Sequence, residues 1–216
     1  MTTRTQLRKD LADLKQKVYI LGEKCVEIAN LYNSLLESFS SNLENTLIQI
    51  NQEVKKESKE LNEQCFLVLT LQQPLIRDLR FVIGSLQIVL NLEKIAEQYL
   101  STLPQVSQVN VLKPNLKNEL IKMAHKVHDS LKSALTLYLS SNLDLHKEVS
   151  KTFSEITYLH DVLYKHILNE VAEEHGEKAQ IEAQLLSTIR SLEKISDLTH
   201  NLAEQVNYII IGKSEV

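Results

Sequence analysis

The sequence predicts an all-α protein, a tandem repeat of two antiparallel three-helix bundles with six long helices. Three observations predict this fold. The 216 residues include only four glycines and three prolines, which leaves few turn formers and therefore few, long elements. Apolar residues, mainly Leu, Ile and Val, recur at alternating spacings of three and four, as on one face of a helix. Two short strings also recur one hundred residues apart, which indicates an internal duplication.

The repeated strings define the expected halves. Ser-Ser-Asn-Leu occupies residues 40–43 and returns at 140–143, and Leu-Glu-Lys-Ile occupies residues 92–95 and returns at 192–195. We therefore expect the halves to superpose at an offset near one hundred residues. The stretch around Pro104 has no helical period and holds two of the three prolines. This pattern predicts one bundle in residues 1–103, a linker in 104–114 and a second bundle in 115–216.

Apolar stripes predict the helices of the first half. The first stripe extends over residues 7–35 and stops at short polar side chains, which compete for backbone hydrogen bonds. The second covers residues 43–68 and has a highly charged middle. The third covers residues 79–99 and follows Pro74, which suits the first turn of a helix because its missing N–H would be unpaired there.

The second half repeats this plan. Stripes cover residues 116–134, 145–167 and 185–209, with a break near His175-Gly176, and the last helix is expected to end at Gly212 as its C-cap glycine. The stripes have a period of about 3.5 residues, which favours shallow helix crossings.

Composition narrows the class of function. The net charge is −4 and the pI is about 6.0, which argues against a nucleic-acid-binding protein because that class needs a basic face. Cys25 and Cys65 lie on apolar stripes, which predicts buried free thiols in a reducing cytosol. No apolar stretch reaches the length of a membrane span, and no signal peptide is recognisable. We expect a soluble cytoplasmic protein with no direct membrane insertion.

One polar row on the sixth helix could bind a metal. Glu193, Asp197, His200 and Glu204 are spaced four, three and four apart, which places them on one helix face. Carboxylates one turn apart beside an imidazole could hold a divalent cation. The alternative is a solvated acidic face.

The first half repeats part of this row. Glu93 and Glu97 stand at the equivalent places, but Leu100 replaces the histidine. On the fourth helix, Asp129 and its neighbours His125 and His128 are further candidates, whereas His160 and His166 are expected on the surface of the fifth. No HExxH, GxSxG, Gly-rich phosphate loop or Glu-x-x-His pair is present, so we do not expect an enzyme.

A second constellation is Gln-Pro-Leu-Ile-Arg-Asp-Leu-Arg at residues 73–80. Asp78 near the positive end of a helix dipole is typical of a helix start. A helix start alone does not explain Arg77 and Arg80 at the same end.

These motifs resemble the PhoU family. That family has a Pro followed by Asp-Leu-Arg, then Leu-Glu-Arg-Ile-x-Asp near the end of the third helix, with Lys94 here in place of the usual Arg. The second half is similar to the family's matching segment at Glu193, Asp197, Asn201, Ala203, Glu204, Tyr208 and Gly212-Lys213.

The resemblance implies a cytoplasmic negative regulator of phosphate uptake and of the phosphate-starvation response. Such a protein would be an adaptor between a phosphate ABC transporter ATPase and a sensor histidine kinase, with Asp78 and Arg80 shaping the contact surface or bracing it. Long solvated helices offer large contact surfaces, and we also expect a homodimer.

The resemblance also implies metal sites at Glu93 with Glu97 and at Glu193 with Asp197, with His200 and Asp129 as additional candidates. Oxygen ligands favour Mg, Ca or Mn, and His200 would shift the preference toward Zn or Fe.

The chain departs from the family pattern. Glu97 replaces the usual Asp, and Leu198 replaces the usual His. The acidic pairs common in the second and fifth helices are here Asn51-Gln52 and Phe153-Ser154. Two alternatives therefore stay open: a metal-binding bundle, either a metal store or a metal-dependent enzyme, and a helical scaffold that has lost the regulatory role.

Overall fold

The computed structural model describes residues 3–173 and 175–212, and Lys213 of the C-terminal motif lies outside this range. The all-α prediction is confirmed, with no strand in the described residues. The helices are α1 (Thr3–Glu37), α2 (Ser41–Gln72), α3 (Arg77–Ser101), the single turn α4 (Leu103–Val106), α5 (Pro114–Ser140), α6 (Asp144–Glu173) and α7 (Glu177–Ile211). None of these described helices is long and apolar enough to cross a membrane.

Helices α1–α3 form one three-helix bundle and α5–α7 form the other. The bundles meet along a seam in which α1 packs on α5 and α3 packs on α7, so α2 and α6 lie on the outside. The α1–α5 pair is antiparallel: Lys15 donates to the Leu139 carbonyl at 2.9 Å, and Lys117 donates to the Glu37 carbonyl at 3.3 Å. Each seam pair therefore joins helices that are equivalent in the two halves.

Two glycines permit close helix approach at the seam. A Cβ on Gly22 of α1 would lie 2.3 Å from Cδ2 of Leu135 on α5, and a Cβ on Gly84 of α3 would lie 2.6 Å from Ile209 on α7. A helix-interior glycine costs about 1 kcal/mol relative to alanine. Close packing between the bundles offsets that cost.

Charged pairs connect the outer helices to the central ones. Lys24 of α1 donates to Glu53 and Glu57 of α2, at 2.7 Å each, and its hydrogen bond lowers the pKa of Glu53. In the second bundle, Lys126 of α5 donates to Glu155 of α6 and lowers the pKa of that carboxyl in the same way. Cys25 and Cys65 are free and buried, as predicted.

The predicted linker is a packed segment. Four residues of this segment are buried: Leu103 and Val106 in α4, Val109 in a 3₁₀ turn over Val109–Val111, and Leu112 directly after that turn. Their spacing of three matches the period of a 3₁₀-helix, in which residues i and i+3 eclipse. A search for the α-helical period misses this pattern.

The structure contains the internal repeat, but one of the two repeated strings does not mark equivalent positions in the two halves. The buried stripe of α3 matches that of α7 at an offset of one hundred, so Leu92 corresponds to Leu192. The stripes of α1 and α2 match those of α5 and α6 at an offset of 102, as for Leu14 and Leu116. Ser40 is the N-cap of α2 whereas Ser140 ends α5, so the Ser-Ser-Asn-Leu match is wrong as a structural equivalence.

Candidate functional site

The turn between α2 and α3 has an unusual backbone. Gln73 ends α2 in the left-handed region with φ 46°. Ile76 precedes α3 with φ 41° and ψ −94°, which is an outlier conformation for a β-branched residue. The side chain of Pro74 is buried beneath the turn. The expectation that Pro74 occupies the first turn of α3 is wrong, because the strained residue intervenes and the helix begins at Arg77.

Arg80 of the Asp-Leu-Arg motif reaches the other bundle. A Cβ on Gly212 would lie 2.9 Å from Cζ of Arg80 and 3.0 Å from both terminal nitrogens. Gly212 is the C-cap of α7, with φ +80° and its N–H donating to the Tyr208 carbonyl, as predicted for the end of that helix. The guanidinium therefore lies beside the negative end of the α7 dipole, where a cation contributes about 0.3–1 kcal/mol. Asp78, half-buried, lies in the first turn of α3.

In the first bundle the predicted metal ligands lie at the surface. Glu97 is exposed and Glu93 half-buried, and neither forms an ion pair with another described residue. Asn51 on α2, where the resemblance led us to expect a carboxylate, is buried and donates from Nδ2 to the Ala96 carbonyl at 2.6 Å. Asn51 thus joins α2 to α3 as a neutral hydrogen-bond donor.

In the second bundle two of the three predicted carboxylates lie within ion-pair distance of histidines of α6. His160 Nε2 lies 3.2 Å from Glu193 Oε2, and His146 Nε2 lies 2.7 Å from Glu204 Oε1. His200 Nε2 lies 3.8 Å from the same Glu204 oxygen. Asp197 lies 3.7 Å from Lys194 on its own helix.

Sequence reasoning missed two of these histidines. The expectation that His160 lies on the surface is wrong, since its side chain is only 13% exposed. His146, Phe153 and His160 are seven residues apart on α6, so they form one row that faces α7 in antiparallel order. This heptad spacing was the available signal. Phe153 stacks on His200 with ring centroids 4.7 Å apart.

Side chains that could ligate a metal are present, but they are not grouped into a binding site. Within residues 3–173 and 175–212, no three His, Cys, Asp or Glu side chains are arranged to hold an ion. Asp129 is exposed and contacts its neighbour His128 at 3.0 Å. Phe153, at a position where the resemblance led us to expect a carboxylate, fills space beside His200 with an apolar ring. The described side chains therefore do not form a preorganised multinuclear centre.

Comparison with known proteins decides the family. The family model described as the PhoU domain matches residues 18–100 and again residues 120–206. The chain belongs to the PhoU family. The two PhoU matches begin 102 residues apart, which agrees with the offset of the buried stripes in α1 and α5.

Curated PhoU relatives align over nearly the whole chain. A phosphate-specific transport system accessory protein PhoU homolog of Clostridium acetobutylicum is 26% identical over 98% of this chain and 97% of its own length. The protein of the same description from Synechocystis sp. is 27% identical, over 98% and 94%. Both are named as accessory proteins.

Solved PhoU structures share the fold. PhoU from Pseudomonas aeruginosa has a TM-score of 0.89 at 21% identity, over 95% of this chain and 99% of that one. The phosphate transport system regulatory protein PhoU from Streptococcus pneumoniae has a TM-score of 0.85 at 21% identity, over 97% and 99%.

Any metal bound by this chain is expected to bind more tightly in the second half. Of the two carboxylate rows, the one on α7 includes an imidazole: His200 follows Glu193 and Asp197 on the same face. In the first half, Leu100 takes the place of that histidine. Zn²⁺ or Mn²⁺ added to protein prepared without chelator is expected to raise the melting temperature, and Glu193→Gln to abolish the rise. Glu93→Gln is the matched control and is expected to retain it. Loss of the rise in Glu93→Gln alone, or its persistence in Glu193→Gln, would assign the second-half row to a solvated face.

Proposed function

We propose that this protein is a cytoplasmic negative regulator of phosphate uptake and of the phosphate-starvation response. In this proposal it is an adaptor between a phosphate ABC transporter ATPase and a sensor histidine kinase. Membership of the PhoU family, with relatives named as accessory proteins of phosphate-specific transport, is the observation that carries it.

The geometry around Arg80 supports a role in signalling rather than in turnover. The guanidinium ties the start of α3 to the end of α7, and so connects the strained turn of the first bundle to the second bundle. The helices present solvated faces, and none of the predicted site residues forms a base–nucleophile pair with a neighbour. We infer that Asp78 and Arg80 support a contact surface at this end of the molecule.

Replacing Arg80 with Ala is expected to leave helix content unchanged but to derepress phosphate-starvation genes in phosphate-rich medium. The reason is that the end of α7 loses its cationic partner while both helices keep their apolar stripes. Reporter expression and circular dichroism measure the two outcomes. Arg190→Ala is the matched control: it removes an arginine of α7 that lies over the Tyr164 ring at 5.0 Å, and it is expected to preserve repression.

Deletion of the whole gene tests the function itself. Derepression in phosphate-rich medium is expected. A normal response after deletion would contradict the regulatory proposal and would favour the scaffold that has lost the regulatory role.

A metal store or metal-dependent enzyme remains a separate proposal. Its support is the set of histidine–carboxylate contacts between α6 and α7, namely His160 with Glu193 and His146 with Glu204. Metal content of the purified protein, measured together with the deletion phenotype, separates this proposal from the regulator.

A further inference from the structure

The turn between α2 and α3, together with the last turn of α2, carries the most exposed large apolar side chains of the described chain. Leu75 is 78% exposed, Ile76 is 75% exposed and Leu71 is 71% exposed. Phe66 and Leu67, on the last turns of α2, are more than half exposed as well. A contiguous exposed apolar patch marks an interaction site more often than single apolar residues scattered over the surface do. We call Leu71, Leu75 and Ile76, with the clefts beside them, the basal surface.

Clefts adjoin the basal surface. A small one of about 190 Å³ lies beside Leu71 and is lined by Asp10, and two larger ones lie nearer the turn. One, of about 770 Å³, lies between the start of α1 and the turn, and its walls include Leu7, Arg8, Leu75 and Arg77. The other, of about 410 Å³, lies between the bundles and has an apolar floor that includes Phe81, Ile209 and Ile210. Arg77 and Asp78 line both clefts and form the ridge between them. The basal surface is therefore concave on two sides.

The charge of these clefts is opposite to that of the whole chain. The two larger clefts are lined by the charged residues Arg8, Lys15, Arg77 and the single carboxylate Asp78, on a protein with net charge −4. The small cleft beside Leu71 adds one carboxylate, Asp10. Neither Arg8 nor Arg77 forms an ion pair with another residue in the described ranges. The nearby Asp10 already accepts a hydrogen bond from Gln6 at 2.7 Å. Arginine is enriched at protein interfaces, where its fork binds carboxylates.

Backbone strain holds the apolar residues outward. A β-branched residue with positive φ costs about 1–3 kcal/mol and persists only where the surroundings impose it. At Ile76 the strain brings no burial in return, because the side chain is in solvent. The α3 backbone fixes this geometry, since the Arg80 N–H donates to the Ile76 carbonyl at 3.0 Å. The fold thus maintains the exposed aliphatic side chain of Ile76 at a cost in free energy.

We propose that the basal surface docks an acidic amphipathic segment of a protein partner, whose apolar side chains enter the two larger clefts and whose carboxylates pair with Arg8 and Arg77. The partner identity rests on the proposed function, which names two partners. We assign the transporter ATPase, because relatives are named as accessory proteins of phosphate-specific transport. Laying an amphipathic helix into an apolar groove is a recurrent mode of recognition. The concave shape and the carboxylate of Asp78 on the central ridge favour a protein segment over a flat anionic lipid surface.

The test measures binding of the full chain to the purified ATPase subunit of the organism's own phosphate transporter. Leu75→Glu is expected to weaken binding about tenfold or more, because it places a charge in an apolar contact and repels the partner's carboxylates. Leu168→Glu is the matched control: Leu168 is a 47% exposed leucine on α6, near the opposite end of the molecule, and this variant is expected to bind normally. Arg77→Glu is expected to weaken binding and to reduce its salt dependence.

The possible outcomes distinguish failure of the docking proposal from failure of the proposed regulatory function. Equal binding by wild type and Leu75→Glu would overturn the basal surface while leaving the adaptor role intact. No binding to the ATPase, despite derepression on deletion of the gene, would overturn the assigned partner. Binding to phosphatidylglycerol vesicles instead, with the same loss in Leu75→Glu, would replace the protein segment by a membrane. A normal phosphate response after deletion would overturn the proposed function itself.

Discussion

Replacing Asn51 with Asp is expected to lower the free energy of unfolding by about 3–5 kcal/mol at neutral pH, the range for an uncompensated buried charge. The Asn51 amide is buried and donates to the Ala96 carbonyl at 2.6 Å. A carboxylate there would face a carbonyl oxygen with no proton between the two acceptors. Urea denaturation of both proteins measures the difference.

The loss of unfolding free energy in Asn51→Asp is expected to become smaller as the pH falls. Only the protonated form of the introduced carboxyl can donate to Ala96, so its pKa in the folded state lies above the ordinary value of about 3.9. The folded state then binds more protons than the unfolded state between those two pKa values. Stability relative to wild type therefore recovers as pH falls through the raised pKa.

Gln52→Glu is the matched control for Asn51→Asp. It introduces the same charge one residue further along α2, at an exposed position. A change within about 0.5 kcal/mol is expected. Equal losses in the two variants, or a loss in Asn51→Asp that does not vary with pH, would contradict the role assigned to the amide.

Replacing Gly22 with Leu is expected to lower the free energy of unfolding by about 3 kcal/mol, because extra methylenes in a well-packed core force side chains off their rotamers. A Cβ alone would lie 2.3 Å and 2.8 Å from the two methyl carbons of Leu135, and 3.1 Å from its Cγ. Leu135 is 1% exposed, so it has no solvent to move into. The higher helix propensity of leucine does not offset this clash.

A double-mutant cycle tests whether the loss of stability in Gly22→Leu comes from a clash with Leu135. Leu135→Ala alone is expected to cost about 2–5 kcal/mol by leaving a cavity. Combined with Gly22→Leu, the cavity receives the new side chain, so the double variant is expected to lose less than the sum of the single losses. Additive losses would mean that the two positions do not share one packing site.

Apolar periodicity predicted the six long helices because each long helix buries an apolar stripe against its neighbours. The same reasoning predicted no element within residues 104–114, where buried residues three apart belong to the single turn α4 and to a 3₁₀ turn rather than to a long stripe. It also took Ser-Ser-Asn-Leu as an equivalent position, since a four-residue identity carries no information on burial. The buried stripes carry that information, and they place the first two helices of each half at an offset of 102.

At the candidate site, helical spacing placed Glu193, Asp197, His200 and Glu204 on one face of α7 but gave no information on the facing helix. Which residues of α6 oppose this row depends on the antiparallel register of α6 and α7. That register brings His146 to Glu204 and His160 to Glu193. The contact of Arg80 with Gly212 spans more than half of the chain length and leaves no periodic signal in the sequence.

The seam between the bundles has the geometry of a two-fold subunit interface, because each half contributes the same two helices in antiparallel orientation. In a homodimer of single bundles every contact across the axis would occur twice, with identical residues. By burial, Gly22 corresponds to Ala124 and Leu135 to Asn33. The tight Gly22–Leu135 contact therefore has a polar counterpart, in which the Asn33 amide lies 3.3 Å from Nδ1 of His125, beside Ala124. Because both halves belong to one chain, the two copies of this seam contact need not carry the same residues, and here they do not.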